Sequence, residues 1–238
     1  MLSTTSLKLT TLKEPPKLMW YMKFKISFLV AFLLLSLTAI AQEDTTLSRV
    51  WTKLTYRVEP SKNLKIDLSG LYRDIASEEG IDRFISEVQV TSKASKTLSY
   101  STEFRHYSMF DNQGGSQGLR HRIRVRLSVT KDYRLGRHEL SVRYGIQHRE
   151  VITGGGLTRT DARLRTVYTH NIKGTKWDPS VYTEYIGSIN GGESQRLRLG
   201  METGNKILAG KMSVGYFYQH NFVEASTNYH TFSIGYRL

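Results

Sequence analysis

Residues 119–130 of the chain read Leu-Arg-His-Arg-Ile-Arg-Val-Arg-Leu-Ser-Val-Thr. Arginine occupies every second position from 120 to 126, and all but one of the alternate residues from 119 to 129 are apolar. Because successive side chains of a strand point to opposite faces, this stretch is predicted to form a strand with one apolar wall and one guanidinium wall. A soluble sheet would stack these like charges in open water, whereas a transmembrane barrel requires the alternation, since lipid contacts one face and a wet lumen the other. The pattern therefore favours a transmembrane β-barrel.

The same alternation recurs along the chain at a spacing of about 18 residues, longer than the roughly 8–12 residues typical of soluble all-β domains. Many segments exceed the ~9–11 residues with which a tilted strand crosses the hydrocarbon of a membrane. They predict an all-β, antiparallel, up-and-down barrel with strands at 48–58, 64–74, 82–92, 98–110, 119–131, 138–152, 158–171, 178–189, 194–204, 211–222 and 228–238.

The connections between these strands alternate in character. Short, basic, turn-like segments are assigned to the periplasmic side, at 59–63, 93–96, 132–137, 172–176 and 205–210. Segments rich in glycine, serine or acidic residues are assigned to the outer side, at 75–81, 111–118, 153–157, 190–193 and 223–227. None of the outer segments is long enough to predict a lid.

The number of strands is in conflict with a general rule for such barrels. The segments above would leave the first and last strands running in the same direction, whereas single-chain bacterial barrels have an even number of antiparallel strands. About 12 strands are therefore expected, with a short additional strand at 45–50. The alternative is about 10, with the first segment outside the wall.

The N-terminal region predicts export. Lys23 and Lys25 precede an apolar run at 26–37, and Ala39-Ile40-Ala41 resembles a signal-peptidase cleavage site. The run is shorter than the ~20 residues that a membrane-spanning helix needs. We therefore expect a signal peptide at 22–41 and a single outer-membrane barrel domain at 42–238. Residues 1–21 resemble neither, so Met22 is the expected initiator.

Composition restricts the chemistry. The chain contains no cysteine, which excludes disulfides, thiolate nucleophiles and zinc–thiolate sites. Removing the five lysines and one glutamate of residues 1–41 lowers the net charge from +13 to +9. The remaining arginines are dispersed along strands and form no coherent patch that could follow a phosphate backbone, so nucleic acid is not an expected partner.

The polar faces of the strands define the predicted lumen. Arginine is the most frequent charged residue there, and opposite charges on facing strands stabilise pairing. One interpretation is a structural barrel filled by arginine–carboxylate pairs; the other is a narrow, anion-favouring pore. The predicted lumen-lining residues are Arg120, Arg122, Arg124, Arg126, Arg143, Arg163, Arg165, Arg196, Arg198, Glu87, Glu103, Glu139, Glu184 and Glu202, with Arg73, Arg83, Arg105 and Arg149 on the same faces.

A weaker signal suggests an enzyme. His106 and Ser108 are two residues apart on one predicted strand, so they share a face, and the histidine could act as a general base on the hydroxyl. Their motif resembles the His-x-Ser strand motif of outer-membrane lipid A deacylases. The facing strand offers no carboxylate on that side to orient the histidine. A second alternative is a soluble periplasmic β-barrel that binds a ligand, but it would need polar outer walls.

Several motifs occur in an order along the chain that is similar to the domain-of-unknown-function 2490 family. They are Trp51, Leu71-Tyr-Arg, Leu119-Arg-His-Arg, Ser141-Val-Arg-Tyr, Asp161-Ala-Arg-Leu-Arg, Trp177-Asp-Pro-Ser-Val-Tyr-Thr-Glu and Arg196-Leu-Arg-Leu-Gly-Met-Glu. The resemblance extends from about Trp51 to Leu238. It implies an outer-membrane barrel of a Gram-negative bacterium, and it implies no activity, cofactor or site residue.

Together these observations predict a non-enzymatic barrel in the cell outer membrane, without a cofactor or a metal. Its expected partners are outer-membrane lipids, lipopolysaccharide and the barrel assembly machinery. The assembly machinery would recognise the last strand, 228–238, whose alternate residues from His230 to Leu238 are mostly apolar.

Overall fold

The computed structural model describes residues 46–76, 83–111, 118–153, 158–175, 177–190, 195–207, 209–222 and 228–238. None of these residues belongs to a helix long and apolar enough to cross a membrane. The expected upstream extension and signal peptide lie outside the described residues, as do most residues of the predicted outer segments. The strands are β1 (Thr46–Ser61), β2 (Leu64–Ala76), β3 (Arg83–Lys93), β4 (Leu98–Asp111), β5 (Gly118–Leu135), β6 (His138–Val151), β7 (Arg159–His170), β8 (Ser180–Ser188), β9 (Gln195–Ile207), β10 (Gly210–Asn221) and β11 (Asn228–Arg237).

These eleven strands form a closed barrel in which each strand from β1 to β11 pairs antiparallel with the next. The barrel closes between β1 and β11, whose residues 46–55 and 228–237 form a parallel ladder. The described residues therefore form an all-β barrel in which every strand has two neighbours.

The expectation of about 12 strands, or about 10, is wrong, because the barrel has eleven. Residues 46–50, where the sequence predicts an additional strand, are the beginning of β1, and β1 belongs to the wall along most of its length. An odd number can close because a parallel ladder satisfies backbone donors and acceptors as an antiparallel ladder does, although slightly less stably per residue.

The two ends of the barrel differ, and we name them by their connections. The turn end carries the β1–β2, β3–β4, β5–β6, β7–β8 and β9–β10 connections, and the loop end carries the other five together with the start of β1. Leu238 lies at the turn end, where its amide donates to the carbonyl of Thr55 at 2.9 Å and its carbonyl accepts from the amide of Arg57 at 3.1 Å. The β5–β6 turn contains Gly136 at φ +62°, a conformation that glycine adopts without steric cost.

The wall of the barrel has its apolar side chains on the outside. Among the described residues, only six hydrophobic side chains are buried, for example those of Ile85 and Ile186, whereas thirty-five large hydrophobic residues are exposed. On β5, Val125, Leu127 and Val129 face outward, and the arginines that alternate with them face inward. This distribution is the reverse of that in a soluble domain, where large apolar residues fill the core.

Candidate functional site

The interior of the barrel contains a cavity of about 330 Å³. Because side chains alternate along each strand, every second residue of a strand points toward it. Of the residues that the structure describes, its lining includes one lysine, Lys53, and two carboxylates, Glu103 and Glu184. The thirteen arginines of the lining are Arg49, Arg73, Arg83, Arg105, Arg122, Arg124, Arg126, Arg143, Arg149, Arg163, Arg165, Arg196 and Arg198.

Most of the residues predicted to line the lumen lie at this cavity. Those in its lining are Arg122, Arg124, Arg126, Arg143, Arg163, Arg165, Arg196, Arg198, Glu103 and Glu184. Arg120 follows the same face of β5 toward the loop end, and Glu87 is buried beside Lys53 and Arg105.

Two of the predicted carboxylates are not brought into the buried interior. Glu139 lies near the turn end, where its carboxylate is 3.3 Å from Nε of Arg134 and both side chains are exposed. Glu202 is half-exposed, and its carboxylate is 3.7 Å from Nη2 of Arg165.

One buried ionic cluster is organised around Glu103, which is only 1% exposed. Its carboxylate accepts hydrogen bonds from Arg124 and Arg126 on the facing strand β5. It also lies 2.9 Å from Nε of Arg105 on its own strand. Charge-assisted hydrogen bonds are roughly twice as strong as neutral ones, and a carboxylate removed from water needs such partners to offset its desolvation.

The Glu103 cluster continues through Glu87 to the strand at the parallel seam. Arg105 also donates to Glu87. The second oxygen of Glu87 is 2.6 Å from Nζ of Lys53 on β1. The cluster therefore links β1, β3, β4 and β5 through side chains as well as through the backbone ladders.

A second cluster links β6 to β10. Glu184 accepts from Arg163 at 2.5 Å and from Arg198 at 3.1 Å. Arg163 also donates to Gln147 at 2.9 Å, and Arg198 donates to Gln219 at 2.8 Å.

Asp161 extends the second cluster toward the loop end. It is fully buried and accepts a hydrogen bond from Gln147 at 2.6 Å. Its carboxylate lies 2.6 Å from Nε of Arg159 and 3.7 Å from Nη2 of Arg196.

The sequence prediction missed some interior residues. Arg49 and Lys53 lie on β1 at even spacing from Trp51, so they share its inward face. Asp161 shares a face with Arg163, two residues away on β7. In each case the spacing of the residue along its strand could have identified it, because residues two apart on a strand share a face.

Gly200 also shapes the interior. It has no side chain, which leaves room for the ring of Tyr182, and that ring would lie 2.5 Å from an added Cβ.

His106 and Ser108, the alternative catalytic residues, lie on the outward face of β4 between the exposed residues Phe104 and Phe110. Nε2 of His106 is 3.1 Å from Nδ1 of His121, and the two rings stack. Within the described residues, no hydrogen bond joins His106 to Ser108. The residues paired with His106 on β3 and β5 are Ser86 and Ile123, so neither supplies a carboxylate to orient the imidazole.

In the part of the chain that the structure describes, no three or more histidine or acidic side chains lie close enough to hold a metal ion.

A closed wall that is apolar outside and ionic inside defines the class of the protein: a β-barrel with an arginine-lined interior. Within this class, the chain belongs to the family described as "Protein of unknown function (DUF2490)", whose sequence profile matches residues 48–231. The match reaches from β1 into β11, and it confirms the resemblance found in the sequence motifs. Neither a curated protein nor a solved structure matches the chain.

Proposed function

We propose that the protein is an outer-membrane β-barrel of a Gram-negative bacterium, whose interior gives small anions a narrow passage. The observation that carries the proposal is the composition of the cavity lining, in which fourteen cationic side chains face two carboxylates. A lining with a large excess of one charge sign raises the local concentration of counter-ions and disfavours ions of the same sign as the excess.

The outer wall supports the membrane location. Leu127 and Tyr144, near the middle of β5 and β6, are 58% and 52% exposed. They are two of the thirty-five large hydrophobic residues that are exposed in the described part of the chain, most of which lie on strands. So many exposed apolar side chains are costly in water but favourable against lipid chains. The outward face of β11 contributes Phe232 and Ile234, which fits recognition of this strand by the barrel assembly machinery. A soluble periplasmic barrel would require a polar wall instead.

The size of the interior supports a narrow passage rather than a wide pore. The cavity of about 330 Å³ is no larger than a small ligand pocket. The clusters around Glu103 and Glu184 fix the guanidinium groups of Arg126 and Arg163 in place. Small anions such as chloride fit between such groups, whereas the extended solutes admitted by larger barrels do not.

Planar-bilayer recordings of the refolded protein test the proposal. The reversal potential under a salt gradient should have the sign of anion selectivity. Arg149→Gln removes a lining cation that has no salt bridge within the described residues, so it should reduce this selectivity without breaking an ion pair. Arg134→Gln is the matched control, because Arg134 is 70% exposed at the turn end and does not line the cavity.

Two outcomes would overturn the proposed passage. One is cation selectivity in the wild-type protein. The other is the absence of conductance from a barrel whose heat-modifiable migration in gels shows that it has folded.

A further inference from the structure

On several strands, an arginine lies nearer the loop end than a carboxylate of the same strand. On β3, Arg83 lies nearer the loop end than Glu87, and on β9 Arg196 lies nearer the loop end than Glu202. The same order holds for Arg73 and Asp67 on β2 and for Arg105 and Glu103 on β4. On β7, Arg159 lies nearer the loop end than Asp161, whereas Arg163 and Arg165 lie nearer the turn end. Several arginines therefore lie near the loop end of the interior among the residues that the structure describes.

Some of these arginines face one another directly. Arg73 is the cross-strand partner of Arg83. Arg149 is the partner of Arg124 on one side and of Arg159 on the other. Like charges directly opposite one another destabilise strand pairing unless an opposite charge lies between them. Within the described residues, Arg73, Arg83 and Arg149 form no salt bridge with a carboxylate.

Aromatic rings hold two of the loop-end guanidinium groups in place. The guanidinium carbon of Arg73 lies 3.7 Å from the centre of the Trp51 ring, and that of Arg49 lies 3.1 Å from the centre of the Tyr229 ring. Stacking occupies a face of each planar group and leaves its N–H edge available. The Nε atoms of Arg49, Arg73 and Arg83 are buried without a hydrogen-bond partner.

We propose that Arg49, Arg73, Arg83 and Arg149 form a binding site for a compact oxyanion with two or more negative charges, such as pyrophosphate or a phosphate monoester. The arginine fork matches the geometry of phosphate oxygens and can bond them in pairs. Chloride lacks this geometry, and an extended acidic polymer does not fit the cavity. The inference rests on the proposed function, because the proposed passage gives the ligand access to the site from the loop end. It adds to that function the class of ligand that binds.

Calorimetric titration of the folded protein with inorganic pyrophosphate, in an uncharged maltoside detergent at constant ionic strength, tests the site. Pyrophosphate should bind, and inorganic phosphate should bind more weakly. Arg83→Gln should weaken pyrophosphate binding by about tenfold or more, since it removes a charged donor. Arg134→Gln should bind like the wild type. Equal affinity in Arg83→Gln would overturn the proposal.

A second measurement uses the wild-type protein, so it does not depend on how Arg83→Gln folds. Pyrophosphate should raise the melting temperature of the wild-type protein, because a ligand that binds only the folded state stabilises it. Without pyrophosphate, Arg83→Gln should melt at the same temperature or higher, because it relieves the repulsion with Arg73. No binding and no thermal shift in the wild type would overturn the site.

Competition distinguishes two sources of the same phosphate chemistry. Mixed micelles containing lipid A should displace pyrophosphate if the natural ligand is a lipid headgroup, and should leave its binding unchanged if the ligand is a free solute. The detergent titration requires no conductance. A silent bilayer together with pyrophosphate binding would therefore overturn the passage alone, whereas anion conductance without pyrophosphate binding would overturn the site alone.

Discussion

Replacing Glu103 by glutamine should strongly destabilise the barrel. Glutamine keeps the shape of the side chain and one acceptor oxygen, but it removes the charge that compensates Arg105, Arg124 and Arg126. All four side chains are largely buried, with exposed fractions of 11% or less. Removing one partner of a buried ion pair costs about 3–5 kcal/mol, because the other charge stays buried without compensation. We therefore expect Glu103→Gln to lower the free energy of unfolding by about this amount.

Urea-induced unfolding of the protein refolded in lipid vesicles, followed by tryptophan fluorescence, measures this change. Glu139→Gln is the matched control, because its partner Arg134 lies at 3.3 Å and both side chains are exposed, so the loss should be below ~1 kcal/mol. Combining Glu103→Gln with Arg126→Gln should recover part of the loss, since one uncompensated cation is removed. A loss below about 1 kcal/mol in Glu103→Gln would refute the view that this carboxylate compensates three guanidinium groups.

Three further predictions concern the outer wall and the packing of the interior. Leu127→Lys, in the middle of the apolar face of β5, should destabilise the vesicle-embedded barrel by about 2–4 kcal/mol, whereas Leu135→Lys at the turn end should cost at most ~1 kcal/mol; equal costs in urea unfolding would contradict a membrane-embedded wall. Gly200→Ala should cost about 1–3 kcal/mol in the same assay, because the new methyl group would overlap an aromatic ring, while Gly70→Ala, with open space around its Cβ position, should cost less. His106→Ala should leave the lipid A mass spectrum of the host cells unchanged, and a shift that corresponds to a retained acyl chain would revive the deacylase alternative.

The pattern of the sequence predicted the strands because alternation is a local property. The strand predicted at 119–131 is observed as Gly118–Leu135, and the strand predicted at 178–189 is observed as Ser180–Ser188. The number of strands in the closed wall could not be obtained in the same way. The sequence contains eleven strand-like segments, but the rule that single-chain barrels have an even number of strands led to the expectation of about 12. No local feature of β1 indicates that it pairs parallel with β11.

The pairing of charges inside the barrel was also beyond the sequence. Parity predicts which residues share a face of a strand, but the partner of each arginine depends on the register between strands. Glu103 meets Arg126 directly across the β4–β5 ladder, and only the fold shows that it also binds Arg124. The sequence likewise gave no sign that Arg73 and Arg83 would face each other. This juxtaposition, which carries the proposed oxyanion site, emerges only when the strands are aligned.

The sign of the reversal potential in a planar bilayer tests the central claim most directly. With a salt gradient across the membrane, the refolded protein should give discrete conductance steps with anion selectivity, because arginine dominates the lining of its cavity. Arg149→Gln should shift the potential toward zero, and Arg134→Gln should not. A cation-selective potential, or a folded barrel that never conducts, would contradict the account of the interior as a passage for anions.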